Sequence, residues 1–508
     1  MYKLHIHGDD VIAKVEPEVY GHFTEHIGGV FYDGIWVGED SKIPNIRGLR
    51  LELIEKMRAI HAPLIRWPGG CFAETYDWRD GIGPREKRPT RINWWKNWDG
   101  RYEQNEVGTH EFVDFCRLCG AEPYFAANIT STTPLDIRDW IDYCNSPAGS
   151  TSLARLREEN GSREPFNVKY WGVGNETWGG GGNMTGEMYA HEYRKYSVIM
   201  DNTAKGLELI CSGANHADWH WPNDVLRIIE PSERHMSGLS LHFYCGSAGH
   251  PLHFSEEEWY RQLRQALDIE RAVSRNWGFV VGYGMERHAR LVVDEWGCWH
   301  QGGTGPSSEI DRWGYEPASN NSHKAENLFE QQSTMRDAVV AAATLNIFNN
   351  NAEKIRMATV AQLVNNLHSL FLAGGENFIC TPTYHVFDMM KYHQGANALR
   401  VSGSTGNISR ERYSIPGISA SATEKDGEIT VTLANLSVTE SAEIELCPSA
   451  MAFADTAEIT VLTSANPHDC NTYDAPDRVK SVSSVSAFDG RLTVPAYSVV
   501  TVRLKKEK

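Results

Sequence analysis

Between residues 17 and 385 the apolar positions switch repeatedly between a short strand-like pattern and a 3.6-residue helical one. Strand-like runs fall at Val19–Glu25, Pro63–Trp67, Pro123–Ile129, Asn167–Val173, Glu208–Ser212, Gly238–Tyr244, Arg290–Glu295 and Arg356–Ala361. The stretches between them predict helices at Ile46–Ile60, Thr109–Cys119, Asp136–Cys144, Glu187–Lys205, Pro222–Ile229, Glu256–Asn276 and Ala325 to about Asn349. Strands that alternate with helices form parallel sheets, and eight strands over about 350 residues fit an α/β, (β/α)8 TIM barrel with insertions. The segment Cys71–Gly108 is too long and too Trp-rich for a plain connection, and the polar stretch Cys298–Asn321 is expected to be a second loop.

Past Phe387 the helical period stops. Short runs at Ile429–Leu433, Glu443–Leu446, Ile459–Leu462, Leu492–Val494 and Val499–Leu504, separated by Gly, Asp, Ser and Pro, predict an all-β, jelly-roll-like sandwich. The alternating N-terminal residues are expected to pair with it. The expected division is therefore a barrel over 17–385 and a β-sandwich over 1–16 with 386–508.

Polar residues collect at the ends of the proposed barrel strands: Glu25, Asn128, Asn175, Glu176, Asn215, His242, Tyr244, Glu295 and Gln362. In a closed barrel those ends share one face, where such folds do their chemistry. Two of them stand out. Tyr170-Trp171-Gly172-Val173-Gly174-Asn175-Glu176 and Leu291-Val292-Val293-Asp294-Glu295 are strands that stop on a carboxylate, with Trp178 and Trp296 close by. A paired acid and carboxylate is what glycosidic-bond hydrolysis needs, and the separation of the two decides whether configuration is retained or inverted. Burial beside Trp178 is expected to push Glu176 towards its protonated form, while donors such as Tyr244 keep Glu295 ionised.

Composition narrows the partners. Of 508 residues 41% are hydrophobic and 23% charged, as in soluble globular proteins. The net charge of −17 disfavours nucleic acid, and 16 Trp with 20 Tyr suit stacking on sugar faces. The N-terminus has no apolar leader pattern, and no long apolar run follows, so no membrane partner is expected. Ten scattered cysteines read as reduced thiols and a cytoplasmic setting. Cys116 and Cys119 share a helix face with Phe112 and Phe115, which reads as core packing rather than metal binding.

Seven stretches, in order, resemble the α-L-arabinofuranosidases of glycoside hydrolase family 51. They are Gly21-His22-Phe23-Thr24-Glu25-His26, Arg66-Trp67-Pro68-Gly69-Gly70, Gly81-Ile82-Gly83-Pro84, Gly174-Asn175-Glu176, Ser240-Leu241-His242-Phe243-Tyr244, Asp294-Glu295-Trp296 and Ala361-Gln362-Leu363-Val364-Asn365. The resemblance implies a retaining, exo-acting enzyme that removes terminal α-L-arabinofuranosyl groups from arabinan, arabinoxylan or oligosaccharides. By the same likeness Glu176 is acid/base, Glu295 is nucleophile, and Glu25, Asn175, Tyr244 and Gln362 hold the furanose or the nucleophile. His242 is read as a supporting residue that orients a neighbouring carboxylate. No cofactor or metal is implied, and members are often hexameric. One departure is Cys71, where many members carry Asn; a thiol donates weakly, so a sugar contact there is lost, weakened or taken over by Phe72 or the main chain. The Trp94-Trp95-Lys96-Asn97-Trp98 loop also diverges.

Alternatives remain at this level. A retaining barrel glycosidase of other specificity, an endo-β-glucanase or a xylosidase, would carry the same Asn-Glu and Asp-Glu-Trp pairs. A metal-dependent barrel enzyme would use residues such as His216, His220 and His242, but no paired metal-ligand spacing is present. A sugar-binding protein without turnover would not require both glutamates.

Overall fold

The structure is a computed structural model, and it describes residues 1–230, 235–246, 249–300 and 327–507. Eight parallel strands close into a barrel: Gly21–Phe23, Leu64–Trp67, Glu122–Ala127, Tyr170–Val173, Glu208–Asn215, Gly238–Cys245, Arg290–Cys298 and Ile355–Ala361, taken in ring order. These are the eight strands expected from the sequence pattern. The chain packs as two compact units, one of Met1–Tyr20, Tyr244–Arg271 and Trp296–Lys508, the other of Gly21–Phe243 and Ala272–Glu295.

Within the second unit, strand alternation sorts the side chains. Trp67, Phe125 and Trp171 pack with Phe112 and Trp140 from the covering helices, with ring centroids 4.9–6.0 Å apart. Their neighbours Arg66 and Tyr124 point the opposite way, and the Arg66 guanidinium lies 4.6 Å from the Phe23 ring and 5.8 Å from that of Tyr124. The second strand thus contributes an indole to the packing and a buried cation to the site.

Several boundaries differ from the sequence expectation. Val19 and Tyr20 belong to a 3-10 turn, Pro17–Tyr20, so the first strand starts only at Gly21. The helix expected from Ile46 begins at Leu51, because Asn45–Ile46 and Leu49–Arg50 form a small antiparallel pair around Gly48, whose φ is +84°. The stretch Glu256–Asn276 is two helices, Glu256–Leu267 and Ile269–Gly282. Ser152–Glu159 and Pro382–Met390 are helices that the periodicity did not show. Most of the expected loop Cys298–Asn321 and the expected helix start at Ala325 lie outside the described residues. The helix itself runs Met335–Asn350, started by a Thr334–Asp337 capping box in which the Thr334 amide donates to Asp337 at 2.7 Å.

In the first unit, a nine-stranded sheet includes the N-terminal strand Tyr2–Lys14, which pairs antiparallel with Asn397–Gly403 and parallel with Ala442–Ser449. The sheet folds over a shared core in which Ile6, Ile429, Val431, Ile444, Val494, Val500 and Val502 meet, giving the sandwich. The helix Met335–Asn350 lies on this β-structure. Asn346 and Asn350 donate to the main chain of Ser419 and Ala420, and Asn349 donates to the Ser421 hydroxyl. Every residue of that helix but the last is buried.

Among the described residues no helix is long and apolar enough to cross a membrane, and all ten cysteines are free thiols. Truncating Ile429 to Ala is expected to destabilise the sandwich by about 2–5 kcal/mol. Differential scanning calorimetry should show it as an earlier transition; an unshifted thermogram would place Ile429 outside the working core.

Candidate active site

The site is assembled at the C-terminal ends of the strands, and its centre is Arg66. This side chain is fully buried, and it donates to Glu295 Oε1 at 2.8 Å, to the Asp294 carbonyl at 3.2 Å and to Asn175 Oδ1 at 2.5 Å. Burial alone would lower the guanidinium pKa, but Asp294 and Glu295 more than reverse that. It is therefore a fixed positive charge inside the barrel.

The glycines of Pro68-Gly69-Gly70 explain themselves here. A Cβ on Gly69 would lie 2.6 Å from Glu25 Cγ, and one on Gly70 would lie 2.9 Å from Glu295 Oε1. Only a bare backbone lets both carboxylates come so close to this turn.

Glu176 follows the fourth strand in the left-handed region, φ +41°, just after Gly174 at +83°. Its main chain is held by the turn that follows, where the amides of Gly179 and Gly181 donate to the Glu176 carbonyl. A Cβ on Gly181 would fall 1.6 Å from the Asn175 carbonyl oxygen, so the turn accepts only glycine there. Glu74 braces the same strand end. Its carboxylate accepts from the Asn175 amide at 2.6 Å and from the Ile129 and Thr130 amides at 3.0 Å, and burial, opposed by those bonds, pushes its carboxyl up to about 7.

His242, on the sixth strand, joins the acids. Its Nδ1 is 2.8 Å from Glu176 Oε1 and 3.5 Å from Glu295 Oε2, and its Nε2 is 3.2 Å from Asp294 Oδ1. Burial would lower the imidazole, but Glu295 and Asp294 outweigh it and push it up to about 10. Burial likewise would raise Asp294, yet Arg66 and His242 hold it down at about 2. Tyr124 also donates to Asp294, at 2.9 Å.

Glu176, His242 and Glu295 each offer one atom to a group that lies wholly within 4.8 Å, so the two carboxylates face each other within that distance. Burial pushes the Glu295 carboxyl up; His242 and Arg66 oppose this and Glu176 adds to it. The balance of charge is simple. Arg66 and His242 supply two positive charges against three acids, so the cluster is neutral when Asp294 is ionised and the glutamate pair holds one proton.

The surroundings of the two glutamates differ from the sequence expectation. The Glu176 side chain is the more open, 20% exposed against 7% for Glu295. The Trp178 indole donates to the Gly213 carbonyl on the fifth strand. What separates the pair is Arg66, which bonds Glu295 directly.

Glu25 is buried, and it accepts from the Phe72 amide at 2.9 Å and the Trp95 indole at 3.1 Å. Burial, opposed by the Phe72 amide, pushes it up to about 7. Cys71 sits with its Sγ 3.9 Å from Glu176 Oε2, and burial and the adjacent carboxylates keep it a thiol. Trp296 is buried against Phe348 and Phe387, a packing position. Tyr244 is half-buried and edge-on to Trp299, and Gln362 is buried directly after the eighth strand. Two members of the expected polar ring stand apart. Asn128 caps its own turn by accepting from the amides of Thr130 and Ser131, and Asn215 is exposed. Arg66, Asp294, Glu74 and Trp95 were given no role from the sequence, although a charge between Ile65 and Trp67 in an apolar strand was a signal for Arg66.

Two compact donor groups lie among the described residues, and in each the histidine nitrogens face neighbouring side chains. Both His242 nitrogens face carboxylates. In the second group, Cys298, His300 and Asp337, the His300 nitrogens are taken by Asp337 at 2.6 Å and Arg336 at 3.2 Å.

Residues 56–256 match the model of the α-L-arabinofuranosidase 1 domain and residues 294–498 that of the α-L-arabinofuranosidase C-terminal domain. Over 512 residues the chain is 36% identical to the intracellular exo-α-L-arabinofuranosidase of Bacteroides ovatus, covering 98% of this chain and 95% of that one. The chain belongs to the family 51 α-L-arabinofuranosidases. It is a glycoside hydrolase. Its structure superposes on the crystal structure of the family 51 arabinofuranosidase from Xanthomonas axonopodis pv. citri with a TM-score of 0.91 at 34% identity, covering 99% and 100% of the two chains. An arabinose complex of the Thermotoga maritima α-L-arabinofuranosidase gives 0.83 at 26% identity, again over 99% and 100%.

The His242 shift makes a signed prediction for this arabinofuranosidase. A group raised from its ordinary 6.5 to about 10 contributes stability that is complete below pH 6.5 and is lost as pH climbs to about 10. Wild type should therefore lose more stability than His242→Gln over that interval in urea titrations. Parallel pH profiles for the two proteins would contradict an imidazolium at this position.

Proposed function

We propose that the enzyme hydrolyses terminal α-L-arabinofuranosides by double displacement with retention. The observation that carries this reading is the approach of the Glu176 and Glu295 carboxylates to within 4.8 Å. Retaining glycosidases hold their carboxyl groups about 5–5.5 Å apart, whereas inverting ones need about 6.5–9.5 Å to admit a water.

Glu295 is the nucleophile. The Arg66 guanidinium favours its carboxylate form, and its backbone ends the seventh strand, so the attacking oxygen is placed by rigid elements. Glu176, the more open of the pair, is the acid/base that passes a proton to the departing glycosidic oxygen. Once the covalent arabinofuranosyl ester has formed, Glu176 takes a proton from the incoming water. His242 faces both carboxylates and moderates the charge that moves between them.

Asn175 and Glu25 are the sugar-binding groups. Arg66 occupies Asn175 Oδ1, and Asn175 Nδ2 has no hydrogen-bond partner among the described residues, which leaves a buried donor beside Glu295 for a furanose hydroxyl. The substrates proposed are arabinan, arabinoxylan and arabino-oligosaccharides cut from their non-reducing ends, in an intracellular setting; the name of the Bacteroides ovatus relative supports the exo action and the setting. The pairing of Tyr2–Lys14 with strands beyond residue 396 supports a division into a catalytic barrel over 17–385 and a sandwich over 1–16 with 386–508.

Glu295→Ala should lose turnover on every substrate. Glu176→Ala should keep most of its activity on arabinosides with activated aryl leaving groups and lose natural oligosaccharides, because a good leaving group needs little protonation. Equal losses on both types would refute the acid role. Proton NMR of the first product should show the α anomer; the β anomer would refute retention.

A further inference from the structure

The long insertion after the second strand carries an unusual combination: rings left in water on a tightly held scaffold. Trp94 is 36% exposed, and Trp98 and Tyr102 more so. Yet the chain around Trp94 is pinned. Asn93 is buried, its amide donates to the His26 carbonyl at 2.9 Å, and its carbonyl oxygen Oδ1 accepts from the Trp95 amide. The Trp95 indole reaches Glu25, and Glu103, at the far end of the same insertion, takes bonds from His26 at 2.9 Å, from Tyr32 and from the Asn105 amide. An exposed indole on an anchored segment has already lost the freedom that binding would otherwise cost.

The direction in which Trp94 looks decides what it is for. A Cβ placed on Gly180 would lie 2.5 Å from Cys71 Sγ and 3.5 Å from Trp94 Cζ2, and Cys71 Sγ is itself 3.9 Å from Glu176 Oε2. Trp94, bare Gly180 and Cys71 therefore form one wall beside Glu176. Gly179 and Gly180 are half-exposed and carry no side chain, so the ground next to the indole is open backbone.

We propose that Trp94 is the stacking platform for the first sugar of the leaving group, and that Gly180 is kept bare so that Cys71 and the indole can close up into that wall. This rests on Glu176 being the proton donor, since the aglycone must depart over that carboxyl. The ligand is a neutral pentosyl ring joined to the departing oxygen. Its C–H face meets the indole, while its hydroxyls remain free for the polar main chain of the glycine turn. Neutrality agrees with the excess of acids in the chain, −17 overall. The insertion thereby selects the aglycone, a separate task from holding the arabinofuranose.

The test compares a 1,5-linked arabinotriose, which has a sugar aglycone, with α-L-arabinofuranosyl fluoride, which has none. Trp94→Ala should lower kcat/KM on the trisaccharide about tenfold, equivalent to roughly 1.4 kcal/mol, and change the fluoride less than about twofold by the same scale. Trp94→Phe should recover most of the trisaccharide activity, and both variants should keep the wild-type melting curve because the ring is at the surface. Glu176→Ala is run alongside. If it loses the trisaccharide and spares the fluoride while Trp94→Ala affects the two substrates equally or not at all, the platform is wrong and the acid assignment stands. If Glu176→Ala shows no such split, the acid assignment has failed instead.

Discussion

A positive charge locked inside the barrel is the constraint that the rest of the site obeys. Arg66 is out of water, and a buried guanidinium is tolerable only when acids and acceptors surround it. Asp294, Glu295 and Asn175 do so from the seventh and fourth strands, which ties together parts of the chain more than a hundred residues apart. His242 plays the complementary part on the other flank of the same acids. The outcome is a cluster in which two cations are set among Asp294 and the facing glutamates. Removing either cation would strand a carboxylate in a poorly solvated place, so these residues serve the fold and the reaction together.

The architecture was largely readable in the sequence because parallel strands covered on both faces are near-continuous apolar runs, and each one here stopped at a polar residue or a glycine. Boundaries were less readable. At Gly48 a positive φ converts what looks like helical periodicity into a turn between two short strands, and the mixed composition of Ser152–Glu159 hides a helix. Glu176 and Glu295 were legible as strand-terminal carboxylates. Their electrostatics were not, since these depend on partners brought from elsewhere in the chain. The indole of Trp178 turns to Gly213, and the arginine that distinguishes the two acids lies in a motif whose glycines drew more notice than its charge.

Glycine has a different meaning at each place it matters in this site. Gly69 and Gly70 yield space to carboxylates, Gly174 turns the chain out of its strand, and Gly181 avoids the Asn175 carbonyl. Glu176 itself takes the left-handed backbone without the freedom of glycine, a modest strain that the braced turn sustains. Glu74 supplies that bracing with three amide contacts. The Glu176 carboxyl is thus aimed by main-chain geometry.

The helix Met335–Asn350 follows the strand that bears Glu295, and its asparagines rest on the β-sandwich. Without the C-terminal strands the amides of Asn346, Asn349 and Asn350 would lose their partners on Ser419, Ala420 and Ser421. The β-sandwich thereby completes the hydrogen bonding of a helix that belongs to the same compact unit.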